Sequence, residues 1–78
     1  MQEVEFLQFI LENLVSHKDD IKIERKEDEL WILLTLQVNK EDMGVIIGKW
    51  GNTINALRTI LRLLGVKTNK KINLKVVD

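Results

Sequence analysis

The residues of this chain best suited to chemistry are Gly48, Lys49, Trp50 and Gly51, two glycines bracketing a cation and an aromatic. Without Cβ atoms, Gly48 and Gly51 can take backbone angles closed to other residues and let a ligand's backbone approach closely. The residues that follow, Ile54-Asn55-Ala56-Leu57-Arg58-Thr59-Ile60-Leu61-Arg62-Leu63-Leu64, repeat at helical spacing. A helix starting there offers unpaired N–H groups and the positive end of its dipole. Both suit a phosphate, and Lys49 adds a full positive charge at the tip of the turn. The chemistry this favours is holding an anion rather than breaking a bond.

Other chemistries are poorly served. A nucleotide-triphosphate loop needs G-x-x-x-x-G-K-[ST]; Gly44 to Gly48 is one residue short, and Trp50 stands where a hydroxyl would hold magnesium. Gly44 and Gly48 match the spacing of a membrane-helix dimer, but Lys40, Glu41, Asp42 and Lys49 flank too few apolar residues. Catalysis wants titratable groups converging in a pocket; the chain has no Cys, no Tyr and one His, so no enzyme is expected. His17, with no second His or Cys, reads as a favourable charge at a helix C-terminus, not a metal ligand. No cofactor or small-molecule substrate is implied.

The elements that must position the glycine turn follow from periodicity. Val4, Leu7, Ile10, Leu11, Leu14 and Val15 recur as one stripe, predicting an amphipathic helix over about 2–16, with Phe6 and Phe9 on its flank. Ile21 to Lys26 alternates as a half-buried strand, and Glu27-Asp28-Glu29 is a polar turn. Leu30 to Val38 is a longer strand, with Leu30, Ile32, Leu34, Leu36 and Val38 on one face and Trp31 and Leu33 on the other. Asn39 has N-cap character before a short helix over about 40–47, with Asp42 near its positive end. The helix after the turn buries Ile54, Leu57, Ile60, Leu61 and Leu64, presents Arg58 and Arg62 on the opposite side, and ends with Gly65 as its C′ residue. Ile72 to Val76 alternates as a final strand. The order is α-β-β-α-α-β, an α+β arrangement.

Seventy-eight residues make one small domain, 1–78. The net charge is zero, yet residues 1–39 carry four basic and nine acidic side chains, a net of −5, and residues 40–78 carry eight and three, a net of +5. Between Met43 and Val77 there are seven cations and no acid, which points to an acidic partner for that half. The acidic start and the absence of a long apolar run predict a soluble cytoplasmic protein with no membrane segment.

With these elements in order, Val45-Ile46-Ile47-Gly48-Lys49-Trp50-Gly51 resembles the I-G-x-x-G signature of the KH domain, and the element order resembles its type II arrangement across the whole chain. Asp42-Met43-Gly44 before the signature, Ala56-Leu57-Arg58 after it and the short length are similar to the single-KH proteins of the KhpA family. That resemblance implies a three-stranded mixed sheet with three helices on one face and a role in binding cellular RNA. It also implies RNA-chaperone activity, work with a larger KhpB-like KH protein as heterodimer or as a homodimer, and a link to cell-wall homeostasis and cell shape. A clamp is expected: about four nucleotides of single-stranded RNA lie across the turn, their bases in the groove beside the central helices. The expected site is Gly48, Lys49, Trp50, Gly51, Asn52, Ile47, Ile54 and Arg58. Amides near Gly51 and Asn52, with Lys49, would hold phosphate; Val45, Ile46, Ile47 and Ile54 are candidates to floor the groove; Arg58 would extend the positive track; Trp50 would stack on a base or pack on protein. Relatives commonly carry a polar or basic residue where Trp50 stands and a basic one where Asn52 stands, which leaves Lys49 as the turn's one formal charge.

A second reading belongs to a different class: an interaction or dimerisation module in which Trp31, Leu33, Phe6, Phe9 or Trp50 makes protein contacts and nucleic-acid binding is residual.

Overall fold

The computed structural model describes residues 2–77. Helix α1 spans Gln2–Glu12, strands β1 and β2 span Lys22–Glu27 and Trp31–Gln37, helices α2 and α3 span Met43–Ile47 and Asn52–Thr68, and β3 spans Lys71–Val77. Single 3-10 turns occupy Lys18–Asp20, Lys40–Asp42 and Lys49–Gly51. The sheet is ordered β1-β2-β3 and mixed: β1 runs antiparallel to β2, from Lys22 opposite Gln37 to Glu27 opposite Ile32, and β3 runs parallel to β2, from Lys71 opposite Trp31 to Val77 opposite Gln37. A parallel pair needs a long crossover, and here α2, the glycine turn and α3 form it. The glycine turn therefore sits at the sheet end where β2 leaves and β3 finishes.

The expected alternation of β2 decides the layers. Ile32, Leu34 and Leu36 are buried with Leu7 and Leu11 of α1, Ile46 of α2, Ile54, Leu57 and Leu61 of α3, and Ile72 and Leu74 of β3. All of this core lies on one face of the sheet, so the three helices do too. By register Arg25 shares that face, and it forms an ion pair with buried Glu3 of α1. The β1–β2 turn is closed by Asp28, whose carboxylate accepts from the amides of Leu30 at 2.9 Å and Trp31 at 2.8 Å. Among the described residues no helix is long and apolar enough to cross a membrane.

Several local expectations need correction. Helix α1 stops at Glu12, not near 16; the chain turns with the Leu14 and Val15 amides both donating to the Leu11 carbonyl at 3.0 Å. His17 is not a helix-dipole partner, and Asp42 is not merely a charge near α2. The Asp42 carboxylate is buried and accepts from the amides of Ser16 at 2.9 Å and His17 at 3.0 Å, with the His17 ring Nδ1 at 3.1 Å. It thus ties the end of the α1 region to the start of α2. Asn39 does cap, its side chain accepting from the Glu41 amide at 2.9 Å.

Gly65 does not end α3. The helix continues to Thr68 and closes with Asn69 in the left-handed region, φ 59. Gly65 is buried inside it because a Cβ there would lie 2.2 Å from the Lys70 carbonyl oxygen and 3.2 Å from Ile72 Cγ1. Its role is the close return of β3 along the helix. Ile60, expected in the core, is 38 % exposed, and it lies with Leu63 and Val66, 68 % and 72 % exposed, on apolar surface that α3 turns away from the sheet.

Candidate nucleic-acid interface

Helix α2 is only five residues long because Gly48 breaks it. The Gly48 amide makes the last helical bond, to the Gly44 carbonyl at 2.9 Å, and its own angles, φ 76 and ψ 172, lie in a region open essentially to glycine. A Cβ at Gly48 would also meet Thr53 Oγ1 at 2.2 Å and the Thr53 amide nitrogen at 2.8 Å. Thus the first glycine lets the start of α3 fold against the turn. Trp50 (φ 61, ψ 21) and Gly51 (φ 75, ψ 15) then both take left-handed angles. At Gly51 there is room for a side chain, the nearest atom being Asn55 Nδ2 at 3.6 Å, so the second glycine answers backbone angle alone.

The turn spends some of its amides on itself. Gly51 N–H donates to the Gly48 carbonyl at 3.2 Å, and Asn52 N–H donates to the Lys49 carbonyl. These were the expected phosphate donors, and they are occupied. The amides of Lys49 and Trp50 precede them in the 3-10 turn and donate to no described residue. Free donors therefore exist one step earlier than expected. Lys49 is exposed and has no ion-pair partner among the described residues, and Trp50 is 85 % exposed.

Around the turn, the expected apolar floor divides. Ile47 and Val45 are 41 % and 43 % exposed, whereas Ile46 and Ile54 are core residues at 0 % and 6 %. Ile54 supports the turn from beneath and presents almost nothing to a ligand. Arg58 is half-buried: its Nε donates to the Leu74 carbonyl at 3.1 Å and its Nη1 to Asn55 Oδ1 at 3.3 Å. It bridges α3 to β3, an edge strand, with the rest of its five-donor fork still available. Asn55, not among the expected site residues, shares this flank through the i, i+3 spacing that the sequence shows.

The electrostatics are one-sided. No carboxylate occurs between Met43 and Val77, so α2, the turn, α3 and β3 offer cations and amides with no competing acid of their own. Among the described residues no three His, Asp or Glu groups are placed to hold a metal ion. What the arrangement can do is donate hydrogen bonds and positive charge to an anionic strand beside exposed apolar and aromatic surface.

The family described as KhpA/KhpB, KH domain, matches residues 4–76. The chain is similar to the RNA-binding protein KhpA of Borreliella burgdorferi, 37 % identical over 76 residues that cover 97 % of this chain and 93 % of that one. It is 42 % identical over 69 residues to the RNA-binding protein KhpA of Bacillus subtilis, covering 88 % and 85 %. With the protein of the same name from Listeria monocytogenes it shares 38 % over 74 residues, covering 95 % and 97 %. No solved structure matches the chain.

Proposed function

The chain belongs to the KhpA/KhpB family of KH domains, and from that premise we propose that it is a non-catalytic protein, one KH domain over residues 1–78, that clamps single-stranded RNA at the Gly48–Gly51 turn. The observation that carries this reading is the pair of unspent amides at Lys49 and Trp50, in a turn that carries the exposed Lys49 and that only glycine at position 48 permits. A phosphate seated there accepts two backbone donors and meets one formal charge. The next nucleotides run along the Asn55–Arg58 flank of α3, while the exposed Ile47 and Val45 supply apolar contact beside the turn. Trp50 stacks on a base, for about 1–3 kcal/mol. Gly51 and Asn52 shape the turn rather than donate from their amides.

Family likeness supports the wider role: an RNA chaperone or post-transcriptional regulator in the cytoplasm, paired with a second copy or with a KhpB-like KH protein, and tied to cell-wall organisation and cell shape. The exposed Ile60, Leu63 and Val66 on α3 favour such pairing. They also support the alternative, an interaction module whose RNA binding is residual.

Titration of a labelled single-stranded RNA at two salt concentrations separates the two. The clamp predicts measurable binding whose log K falls by about 0.7 per neutralised phosphate on log salt. The double variant Lys49→Asp, Trp50→Asp should lose that binding while melting like the parent. Aspartate accepts the left-handed angles of position 50 at least as well as tryptophan does. Unchanged affinity in the variant, or no binding by the parent at low salt, would favour the interaction module.

A further inference from the structure

The end of the molecule opposite the glycine turn carries a second cluster that the clamp does not use. Helix α3 runs back along β3, so that Arg58 meets Leu74 and, one turn on, Arg62 stands beside Lys71, Ile72 and Asn73 at the strand's start. Two grooves meet there, of about 480 and 320 Å3, sharing Arg62 and Lys71. The larger one wraps the free edge of β3 and is closed on the open face of the sheet by Trp31. No carboxylate lines either groove.

Trp31 is 45 % exposed, and the Lys71 ammonium sits over its ring, 5.4 Å from the centroid. The ring is fixed at its root, because the Trp31 amide donates to Asp28 at 2.8 Å and the Lys71 amide to the Leu30 carbonyl at 2.9 Å. Arg62 is exposed and has no ion-pair or hydrogen-bond partner among the described residues. By register the open sheet face carries Lys71 beside Trp31, Lys26 next along, and Lys75 and Lys22 toward its far end, against Glu24, which pairs with Lys26 at 3.9 Å; Glu27 and Asp28 line a separate groove on the hairpin side of Trp31. An occupant with anionic and flat aromatic parts complements this corner; an acidic protein surface would meet the lysines but leave the ring unused.

We propose that Trp31, Lys71 and Arg62 form a second nucleotide subsite, which takes a base and its phosphate from the same single-stranded RNA that the glycine turn holds, and so rests on the RNA-binding reading above. The strand leaves the turn, follows the α3 flank for about 16 Å from Gly51 to Arg62, and rounds the β3 edge onto the open face. There a base stacks on Trp31, and Lys71, displaced from the ring or lying beside the base, meets the phosphate together with Arg62. In a protein of zero net charge whose turn has one formal charge, such a remote contact supplies affinity that the turn lacks.

The test compares the parent and Trp31→Ala on two single-stranded RNAs, of about four and about ten nucleotides. The number of binding registers on each RNA is the same for both proteins and cancels. The subsite predicts that Trp31→Ala binds the shorter RNA as the parent does and loses at least about fivefold on the longer one. In a Trp50→Phe background Trp31 is the sole tryptophan, and its fluorescence should be quenched by the longer RNA and not by the shorter. If Trp31→Ala keeps full affinity for both RNAs, or if its main effect is an altered solution mass with RNA affinity intact, the corner is not a nucleotide subsite and the clamp still stands. If the parent binds neither RNA, clamp and subsite fall together.

Discussion

Gly48 and Asp42 are the two residues whose atoms cannot be exchanged without undoing the site. At Gly48 two demands coincide, a positive φ with extended ψ and the absence of any atom between the turn and Thr53. Gly48→Ala should therefore lower stability by about 1–3 kcal/mol and abolish RNA binding, which a thermal melt and a binding titration would show. Asp42 acts earlier in the chain, holding the segment that leaves α1 against the start of α2. Its carboxyl is held below the ordinary carboxylate range chiefly by the Ser16 amide, with burial opposing and the His17 amide and ring assisting. A depressed folded-state pKa means that this contribution is whole above the unfolded carboxyl value, near pH 4, and is lost as pH falls through the lowered folded value. Glu27, beside Lys70 and Arg25, and Asp28, beneath the Trp31 and Leu30 amides, act in the same direction. Denaturation followed against pH should show Asp42→Asn less stable than the parent at neutral pH and less sensitive to acid below about pH 4.

Elements were legible where one residue's neighbours in sequence are also its neighbours in space. The alternation named Ile32, Leu34 and Leu36 as the buried face of β2, and the stripe of α1 named Leu7 and Leu11, because strand and helix periods are local properties; Leu30 and Leu14, expected with them, fall beyond the ends of β2 and α1 and are 67 % and 38 % exposed. Gly65 shows where local reading ends. A glycine after an apolar run has the form of a helix stop, but only the path of β3, returning so close that a Cβ would strike the Lys70 carbonyl, reveals that it is a packing residue. The turn amides failed to be legible for a related reason: which N–H groups remain free depends on the carbonyls the turn itself recruits. These two glycine roles predict opposite signs for one substitution. Gly44→Ala, on an open helix position with no atom within 4 Å, should stabilise by up to about 1 kcal/mol. Gly65→Ala should instead cost about 1–3 kcal/mol, since the clash is with backbone and cannot be relieved by a rotamer change. Paired melts of the two variants check both.

The whole molecule divides its charge along the chain, and the fold turns that division into a working arrangement. The acidic half supplies α1, β1 and the hairpin, and several of its carboxylates are engaged internally, Glu3 with Arg25, Glu27 with Lys70 and Asp28 with the Leu30 and Trp31 amides. The basic half supplies the glycine turn, α3 and β3, whose Lys49, Arg62 and Lys75 remain uncommitted among the described residues. A polyanion therefore meets free cations while the molecule as a whole stays neutral, which limits indiscriminate binding. The most direct test of the clamp is a titration of isotope-labelled protein with a short single-stranded RNA at low salt, following each backbone amide by NMR. The largest changes should fall on the Lys49 and Trp50 amides and continue along α3 through Asn55 and Arg58. Changes confined to the outward Ile60 and Leu63 surface, or none anywhere, would contradict the clamp.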